Sequence, residues 1–175
     1  APSSTGGAVT TGYTVTANPG GQTVTVGGST LTATFTSLTN GTSYTFTVVA
    51  TNSVGDSSAS TPSNTVTHAT VPGAPTNVSA TAGNTQATVT WSAPSYTGGS
   101  AVTDYTVTAS PGGATASWSS GAMAATVTGL TNGTSYSFTV IATNAKGNSS
   151  ASSASNAVTP ATTPGAPTNV SATAV

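Results

Sequence analysis

Four side chains carry all the acid–base chemistry that this sequence offers near neutral pH. They are Asp56, His68, Asp104 and Lys146, and the chain contains no Cys, Glu or Arg. A single His without Cys or Glu does not supply a metal site. The two Asp residues are far apart in sequence and do not indicate paired carboxylates. A serine nucleophile would have only His68 as its base. The sequence therefore predicts no catalytic, metal or cofactor site, and a protein that is not an enzyme.

The polarity of the chain comes from hydroxyl groups rather than from charge. Charged residues make up 2% of the sequence, against roughly 25% in a typical soluble domain. Thr and Ser number 41 and 26, about 38% of the 175 residues. One lysine cannot form the basic surface that nucleic acids require. The longest apolar runs, such as 48–50 and 140–142, are far shorter than a membrane helix of roughly 18 residues, so no membrane insertion is predicted.

A nearly uncharged surface also bears on how the protein stays in solution. The formal net charge is −1, and a net charge close to zero favours association between molecules. Either a coat of sugar keeps the molecules apart or association is part of the function. We expect glycans, further copies of the same module, or both as partners.

The chain repeats itself at a spacing of 92 residues. When residues 1–83 are aligned with residues 93–175 without a gap, 54 of the 83 positions are identical. One kind of module has therefore been copied along the chain. The shared large side chains include Tyr13 and Tyr105, Leu38 and Leu130, and Tyr44 and Tyr136.

Alternation of apolar and hydroxyl side chains dominates each copy. Residues 85–91 place Ala87, Val89 and Trp91 on one face and Thr on the other, and residues 104–109 and 136–142 continue the pattern. Thr is β-branched and suits the exposed face of a strand. Pro, Gly and Asn separate these runs and favour turns. Short strands at intervals of about 8–12 residues predict an all-β sandwich or barrel.

Several segments resemble one known family when they are taken in order. Residues 72–80 resemble the linker and first strand of a fibronectin type III module, and Trp91 stands where that family buries its second-strand tryptophan. Residues 105–107 resemble the third strand. Residues 130–136 resemble the family's corner, with Asn132 in place of the usual Pro. The resemblance implies tandem fibronectin type III-like, immunoglobulin-like β-sandwiches of a secreted or cell-surface, microbial protein.

The same resemblance implies roles for the large side chains. Seven of them are expected in the core or at the corner rather than in a ligand site: Trp91, Tyr13, Tyr105, Tyr44, Tyr136, Leu38 and Leu130. Trp118 differs because its counterpart in the first copy is Val26. We predict it on a sheet edge, where a structural role is the first interpretation; the alternative is an exposed aromatic that stacks on carbohydrate or forms an interface, for which Trp118 is the candidate.

The family frame divides the chain into three parts. Residues 71–160 form one complete module, and residues 1–70 form a module that lacks its first two strands. Residues 161–175 are expected to be a linker and the first strand of a following module. Two interpretations stay open: a window on a longer array, or strand exchange in which residues 163–175 of one copy fill the first-strand position of the next. Strand exchange of this kind would build a filament.

Five Asn-x-Ser/Thr sequences occur, which is close to the number expected by chance at this Thr and Ser content. Asn40, Asn132 and Asn148 fall in predicted turns, where a glycan would fit, and are the candidate glycosylation sites. Asn77 and Asn169 begin strands. O-linked sugar on the many Thr and Ser is a broader possibility.

These observations favour a non-catalytic structural repeat of an extracellular fibre, stalk or surface protein. Pro-rich linkers at 70–75 and 162–167 restrict the joints between modules and predict an extended rod. The first alternative is a spacer or carbohydrate-associated module of a secreted polysaccharide-degrading enzyme. The second is a repeat of a cell-surface adhesin.

Overall fold

The computed structural model describes residues 1–118 and 120–173, and every regular element in that part of the chain is a β-strand. The all-β prediction is therefore confirmed. The chain divides into two compact units: residues 1–70 with 98–100, and residues 71–97 with the chain from 101 onward. The eleven strands of the described residues are β1 (Thr10–Asn18), β2 (Thr23–Gly27), β3 (Ser43–Asn52), β4 (Val66–Thr67), β5 (Thr76–Ala82), β6 (Gln86–Ser92), β7 (Val102–Ser110), β8 (Thr115–Trp118), β9 (Ala124–Thr128), β10 (Ser137–Asn144) and β11 (Gly147–Asn148).

The second unit is a sandwich of two antiparallel sheets. One sheet has the order β5-β6-β9 and the other has the order β11-β10-β7-β8. Strand β7 pairs with β10 along nearly its whole length, so that Val107 faces Val140. Strand β6 pairs with β9, and Val89 faces Ala125. Apolar side chains alternate along each strand, and one face of each sheet is therefore apolar.

The core lies between these two sheets. Strand β6 buries Ala87, Val89 and Trp91, the alternate residues that the sequence pattern predicts. The side chains of Tyr105 and Phe138 are 2% and 0% exposed. Thr occupies many of the opposite positions on the same strands, where its hydroxyl meets solvent. Val107, Val127 and Val140 are also fully enclosed.

The first unit repeats only one of these sheets. Its strands have the order β2-β1-β3-β4. Strands β1, β2 and β3 align with β7, β8 and β10 of the second unit, and β4 aligns with residues 158–159. The positions that would align with β5 and β6 precede residue 1 of the given sequence. Residues 32–36, which align with β9, form no strand. Strand β9 pairs with β6, so a segment without such a partner has no ladder to join.

The uncovered sheet keeps only part of its core buried. Tyr13 and Tyr44 are 8% and 5% exposed. Val15 and Val48 are half-buried, although the aligned Val107 and Val140 are both 0% exposed. The sheet of the first unit is therefore less covered than the aligned sheet of the second.

The segment 161–173 is exposed throughout and forms no strand in the described part of the chain. The linker and first strand of a following module, predicted over 161–175, stay a prediction; residues 174 and 175 lie outside the described residues. A strand needs a neighbour for its N–H and C=O groups, and no sheet of the described chain offers one to this segment.

The difference between the two units predicts unequal costs for one matched substitution. We expect Val140→Ala to lower the stability of the second unit by about 2 kcal/mol, because it removes fully buried methyl groups and leaves a cavity. The aligned Val48→Ala is expected to cost less than about 1 kcal/mol, because Val48 already meets solvent. Native-state hydrogen exchange in urea, assigned to each unit, measures both values. Equal costs would contradict the described difference in cover.

Candidate functional site

The corner between β9 and β10 is closed by a hydrogen bond from the backbone to a tyrosine. The backbone N–H of Thr131 donates to the hydroxyl oxygen of Tyr136 at 3.1 Å. Leu130 is buried beside it, with 4% of its surface exposed. The first unit repeats the contact, with 3.0 Å from the N–H of Thr39 to the hydroxyl oxygen of Tyr44. Leu38, aligned with Leu130, is only half-buried.

The same hydrogen bonds change the acidity of these two tyrosines. Donation from the backbone of Thr131 lowers the pKa of Tyr136, because it stabilises the phenolate. Donation from the backbone of Thr39 lowers the pKa of Tyr44 in the same way. Both phenols lie at a structural corner, and the described residues place no partner acid or base beside them.

A row of serines runs along one edge of β10, and we call it the serine ladder. The N–H of each serine donates to a β10 carbonyl at 2.8–2.9 Å, and the N–H of that β10 residue donates to the serine Oγ at 2.9–3.0 Å. Each Oγ also donates to the carbonyl of the next residue at 2.7–2.8 Å. The ladder pairs Ser149, Ser152 and Ser155 with Ala142, Val140 and Phe138.

The ladder advances three residues for every two residues of the strand. An ordinary strand pair advances one for one, so the segment 149–155 does not join the sheet as a strand. The serine hydroxyl both accepts and donates, and it gives a partner to strand N–H groups that would otherwise be buried and unsatisfied. The first unit repeats the arrangement with Ser57, Ser60 and Ser63 on Ala50, Val48 and Phe46.

Sequence reasoning missed the serine ladder. Its signal is the period of three in Ser149, Ser152 and Ser155, repeated 92 residues earlier. A search for periods of 2 and 3.6 does not register it.

An amide next to the ladder fixes strand β5. The side-chain Oδ1 of Asn156 accepts from the N–H of Ala80 at 2.9 Å, and its Nδ2 donates to the carbonyl of Ala80 at 3.0 Å. The Oγ of Ser79 also donates to Asn156 Oδ1 at 3.3 Å. One side chain thus mimics a backbone peptide and joins β5 to the segment that borders the other sheet.

Three of the aromatic rings in the second core contact one another in a row, through one tilted and one edge-on contact. The rings of Trp91 and Tyr105 are 5.4 Å apart, and those of Tyr105 and Trp118 are 5.1 Å apart and nearly perpendicular. Trp118 ends the edge strand β8 and is half-buried. Its Nε1 donates to the carbonyl of Ala122 at 2.7 Å. A role for Trp118 in binding carbohydrate or a partner stays a prediction.

The candidate glycosylation residues differ in how far their amides are engaged. Asn132 Nδ2 donates to Asn84 Oδ1 at 2.8 Å, and its Oδ1 accepts from the N–H of Thr85 at 2.9 Å. Asn40 Nδ2 donates to Thr70 Oγ1 at 3.4 Å. Asn148 is exposed, and its bond, from Thr143 Oγ1, reaches only its Oδ1. Asn148 is therefore the most accessible of the three.

The chemistry-bearing residues are not brought together into a catalytic arrangement. Asp56 accepts a hydrogen bond from Thr51 in the first unit, whereas Asp104 lies on β7 of the second. His68 Nδ1 is buried and has no partner among the described residues. Across residues 1–118 and 120–173, no group of three His, Cys, Asp or Glu could hold a metal. The same residues include no helix long and apolar enough to cross a membrane.

Comparison with known proteins identifies the family of the two modules. The model of the fibronectin type III domain family matches residues 1–66 and 73–158. The chain belongs to this family. The match covers both copies of the 92-residue repeat and confirms the resemblance drawn from Trp91 and the Leu130–Tyr136 corner.

Three curated relatives of these fibronectin type III modules are bacterial enzymes by name. Chitinase A1 of Niallia circulans is 44% identical over 135 residues, which is 73% of this chain and 18% of the relative. Exoglucanase B of Cellulomonas fimi is 40% identical over 137 residues, or 74% of this chain and 12% of the relative. Endoglucanase B of Cellulomonas fimi is 38% identical over 160 residues, or 85% and 15%. The chain spans less than a fifth of the length of each.

The serine ladder predicts a localised effect of one hydroxyl. Ser152→Ala leaves the buried N–H of Val140 without its acceptor, so we expect a loss of about 1–3 kcal/mol in the stability of the second module. Ser153→Ala is the matched control, because Ser153 is exposed and contributes only its carbonyl; it should change stability by less than about 0.5 kcal/mol. Urea unfolding followed by tryptophan fluorescence reports this module alone, since Trp91 and Trp118 both lie in it. Equal effects of the two substitutions would contradict a structural role for the ladder.

Burial predicts an alkaline sensitivity centred on Tyr105. Burial raises the pKa of Tyr105 above its ordinary value of 10.0, because the ionised form would lose its hydration. The resulting stability is fully present below pH 10 and is lost as the pH rises through the raised pKa. Tyr105→Phe should therefore reduce the fall in Tm above pH 10 while changing little at pH 7. Tyr96→Phe, at a more exposed position, is the control. An unchanged alkaline profile in Tyr105→Phe would contradict this assignment.

Proposed function

We propose that this pair of fibronectin type III modules is a non-catalytic spacer within an extracellular enzyme that degrades a polysaccharide. The observation that carries the proposal is the set of relatives, a chitinase, an exoglucanase and an endoglucanase, to which the chain is 38–44% identical over 12–18% of their length. A segment of that size, shared by enzymes whose names give different reactions, fits an accessory part better than a catalytic one. The extracellular location is part of the same proposal.

The arrangement of the described residues supports a role without chemistry. The two carboxylates lie in different units, and His68 has no hydrogen bond with an acid or a nucleophile in the described chain. The surface is rich in Thr and Ser and almost free of charge. Such a surface neither attracts nor repels a neutral polymer at long range, because electrostatic steering requires charge. Pro-rich segments at 70–75 and 162–167 limit the flexibility of the joints.

Deletion within the full-length protein tests this proposal. Replacing residues 1–160 by a Gly/Ser linker of equal length should leave kcat/KM on a soluble oligosaccharide within about twofold, since the modules contribute no group to the reaction. Activity on the insoluble polymer should fall, because a flexible linker does not hold the spacing. Release of sugar by the isolated 175-residue chain would overturn the proposal, and so would loss of soluble activity on deletion.

A structural repeat of an extracellular fibre, stalk or adhesin is the second candidate function. The 92-residue repeat and the low charge favour it, since both suit an array of modules. It includes head-to-tail strand complementation between copies. Negative-stain microscopy of native material tests it: filaments would support it, and isolated particles at every concentration would count against it. The relatives support the spacer more directly.

Glycosylation belongs to the same proposal about location. Asn148 is the best placed of the three candidate residues, because its Nδ2 is exposed and engages no described residue. The mass of the natural protein before and after enzymatic deglycosylation measures it. Conversion of Asn148 to Asp by a glycan-releasing amidase would identify the site, and an unchanged mass would exclude N-linked sugar there.

A further inference from the structure

The outer face of the larger sheet in the second module carries a row of three threonines. Thr108 of β7 lies opposite Thr139 of β10 on one side and opposite Thr115 of β8 on the other. These side chains point away from the core, because the adjacent Val107 and Val140 are 0% exposed and successive side chains of a strand alternate between its faces. The row therefore faces solvent.

The first module repeats this row on the outer face of its own sheet. Thr16 of β1 lies opposite Thr47 of β3 and Thr23 of β2. In each module the next row, two residues along the strands, joins an aliphatic side chain to two hydroxyl side chains. We call the two rows of a module its threonine face. Its residues are Thr16, Thr47, Thr23, Val49, Thr14 and Thr25 in the first module, and Thr108, Thr139, Thr115, Ile141, Thr106 and Ser117 in the second.

The hydroxyls of the two threonine rows are not used within the fold. Across residues 1–118 and 120–173, none of these six hydroxyls forms a hydrogen bond with another residue. The hydroxyl of Ser152 in the ladder, by contrast, both accepts from Val140 and donates to Ser153. A hydroxyl offers one donor and two acceptor positions. The rows thus keep their whole hydrogen-bonding capacity for solvent or for a partner.

The composition of the threonine face restricts the class of partner. A charged partner would lose hydration against a face that offers no opposite charge. Asp104 continues the face in the second module, but its counterpart in the first module is Gly12. Protein interfaces depend on central Tyr, Trp and Arg side chains, and the threonine face has none of them. Sites for small molecules are concave, whereas this is the open outer face of a sheet. An extended, uncharged surface rich in hydroxyl groups fits it best.

We propose that the threonine face of each module contacts the surface of an insoluble, neutral polysaccharide. The proposal rests on the proposed function, and it names the surface by which the spacer meets its polymer. The row hydroxyls exchange hydrogen bonds with water for hydrogen bonds with sugar hydroxyls. The threonine methyl groups, with Val49 or Ile141, contact the C–H groups of the sugar rings.

The geometry of the sheet makes this contact regular and weak. Neighbouring strands lie about 4.8 Å apart, and side chains two residues apart on one strand are separated by roughly 6.7 Å. The hydroxyls of a module are thus held in a fixed grid and lose little freedom on binding. Each exchanged hydrogen bond contributes little net free energy. The contact consequently depends on several hydroxyls at once and on its presence in both modules.

Depletion of the 175-residue chain from solution by insoluble chitin and by insoluble cellulose tests the proposal. We expect binding to at least one polymer, with a dissociation constant of roughly 0.1–10 mM. Salt at about 1 M should not release the chain, because the contact involves no charge. Recovery of all the protein in the supernatant with both polymers would overturn the proposal. Release by salt would also overturn it, since it would show a contact driven by charge.

Matched variants assign the binding to this face. The test variant carries Thr16→Val, Thr47→Val, Thr108→Val and Thr139→Val. Valine keeps the branched shape and the strand preference and removes the hydroxyl, so the Tm should be retained and binding should weaken at least about fivefold. The control carries four such changes at exposed positions on the outer face of the β5-β6-β9 sheet, namely Thr81→Val, Thr88→Val, Thr126→Val and Thr128→Val.

The control variant should bind like the parent chain. An equal loss in both variants would show that any exposed threonines serve, and unchanged binding of the test variant would show that these do not; either result would overturn the threonine face. Failure of this proposal is distinguishable from failure of the spacer. Absence of polymer binding leaves the effect of linker replacement on soluble activity unaltered, whereas loss of that activity would overturn the spacer and leave the binding result standing.

Discussion

The architecture of the second module depends on the cover that β6 gives to the inner face of the opposite sheet. Trp91 and Val89 fill the space against Tyr105 and Val140, and the closing of that space removes all four side chains from water. The burial of large side chains is the main favourable term in folding. The first module has nearly the same sheet without this cover. Its Val15 and Val48 are consequently half-buried, and the segment aligned with β9 does not form a strand.

The serine ladder supplies hydrogen-bond partners to the backbone along one edge of the same sheet. The edge of β10 next to the ladder carries N–H and C=O groups that need partners, and a neighbouring segment in step with the strand would extend the sheet further. The ladder segment advances three residues for every two residues of β10. It therefore places a backbone N–H and a serine hydroxyl opposite every second residue of that strand. Each serine hydroxyl also donates to a carbonyl of its own segment. The segment therefore presents few free N–H and C=O groups to a further strand, which limits edge-to-edge pairing. The abundance of Ser in the chain thus has a structural cause at these positions.

The sequence predicted which side chains of each strand face the core better than it predicted the segments that pack along the strand edges. The alternation of apolar and polar side chains placed Ala87, Val89 and Trp91 on one face. A strand has a side-chain period of two, and Thr is well suited to its exposed face. The corner formed by Tyr136 was predicted from the resemblance to the fibronectin type III family. The ladder was not predicted, because its period of three belongs to neither helix nor strand. The ring of Trp118 packs on Tyr105, because a large ring at a sheet edge reaches back over the core.

The two copies differ most where the fold constrains them least. Positions 24–32 and 116–124 differ at all nine aligned residues, whereas positions 57–60 and 149–152 are identical. The variable segment includes most of the edge strand β8 and the approach to β9, where one side of the chain meets solvent and side chains of several sizes fit. The identical segment belongs to the ladder. Each ladder serine donates through its N–H, accepts through its Oγ and donates through its hydroxyl, and among small side chains only Thr could make the same three hydrogen bonds. Thr would add a methyl group against β10, so the choice of residue at the ladder serines is narrow.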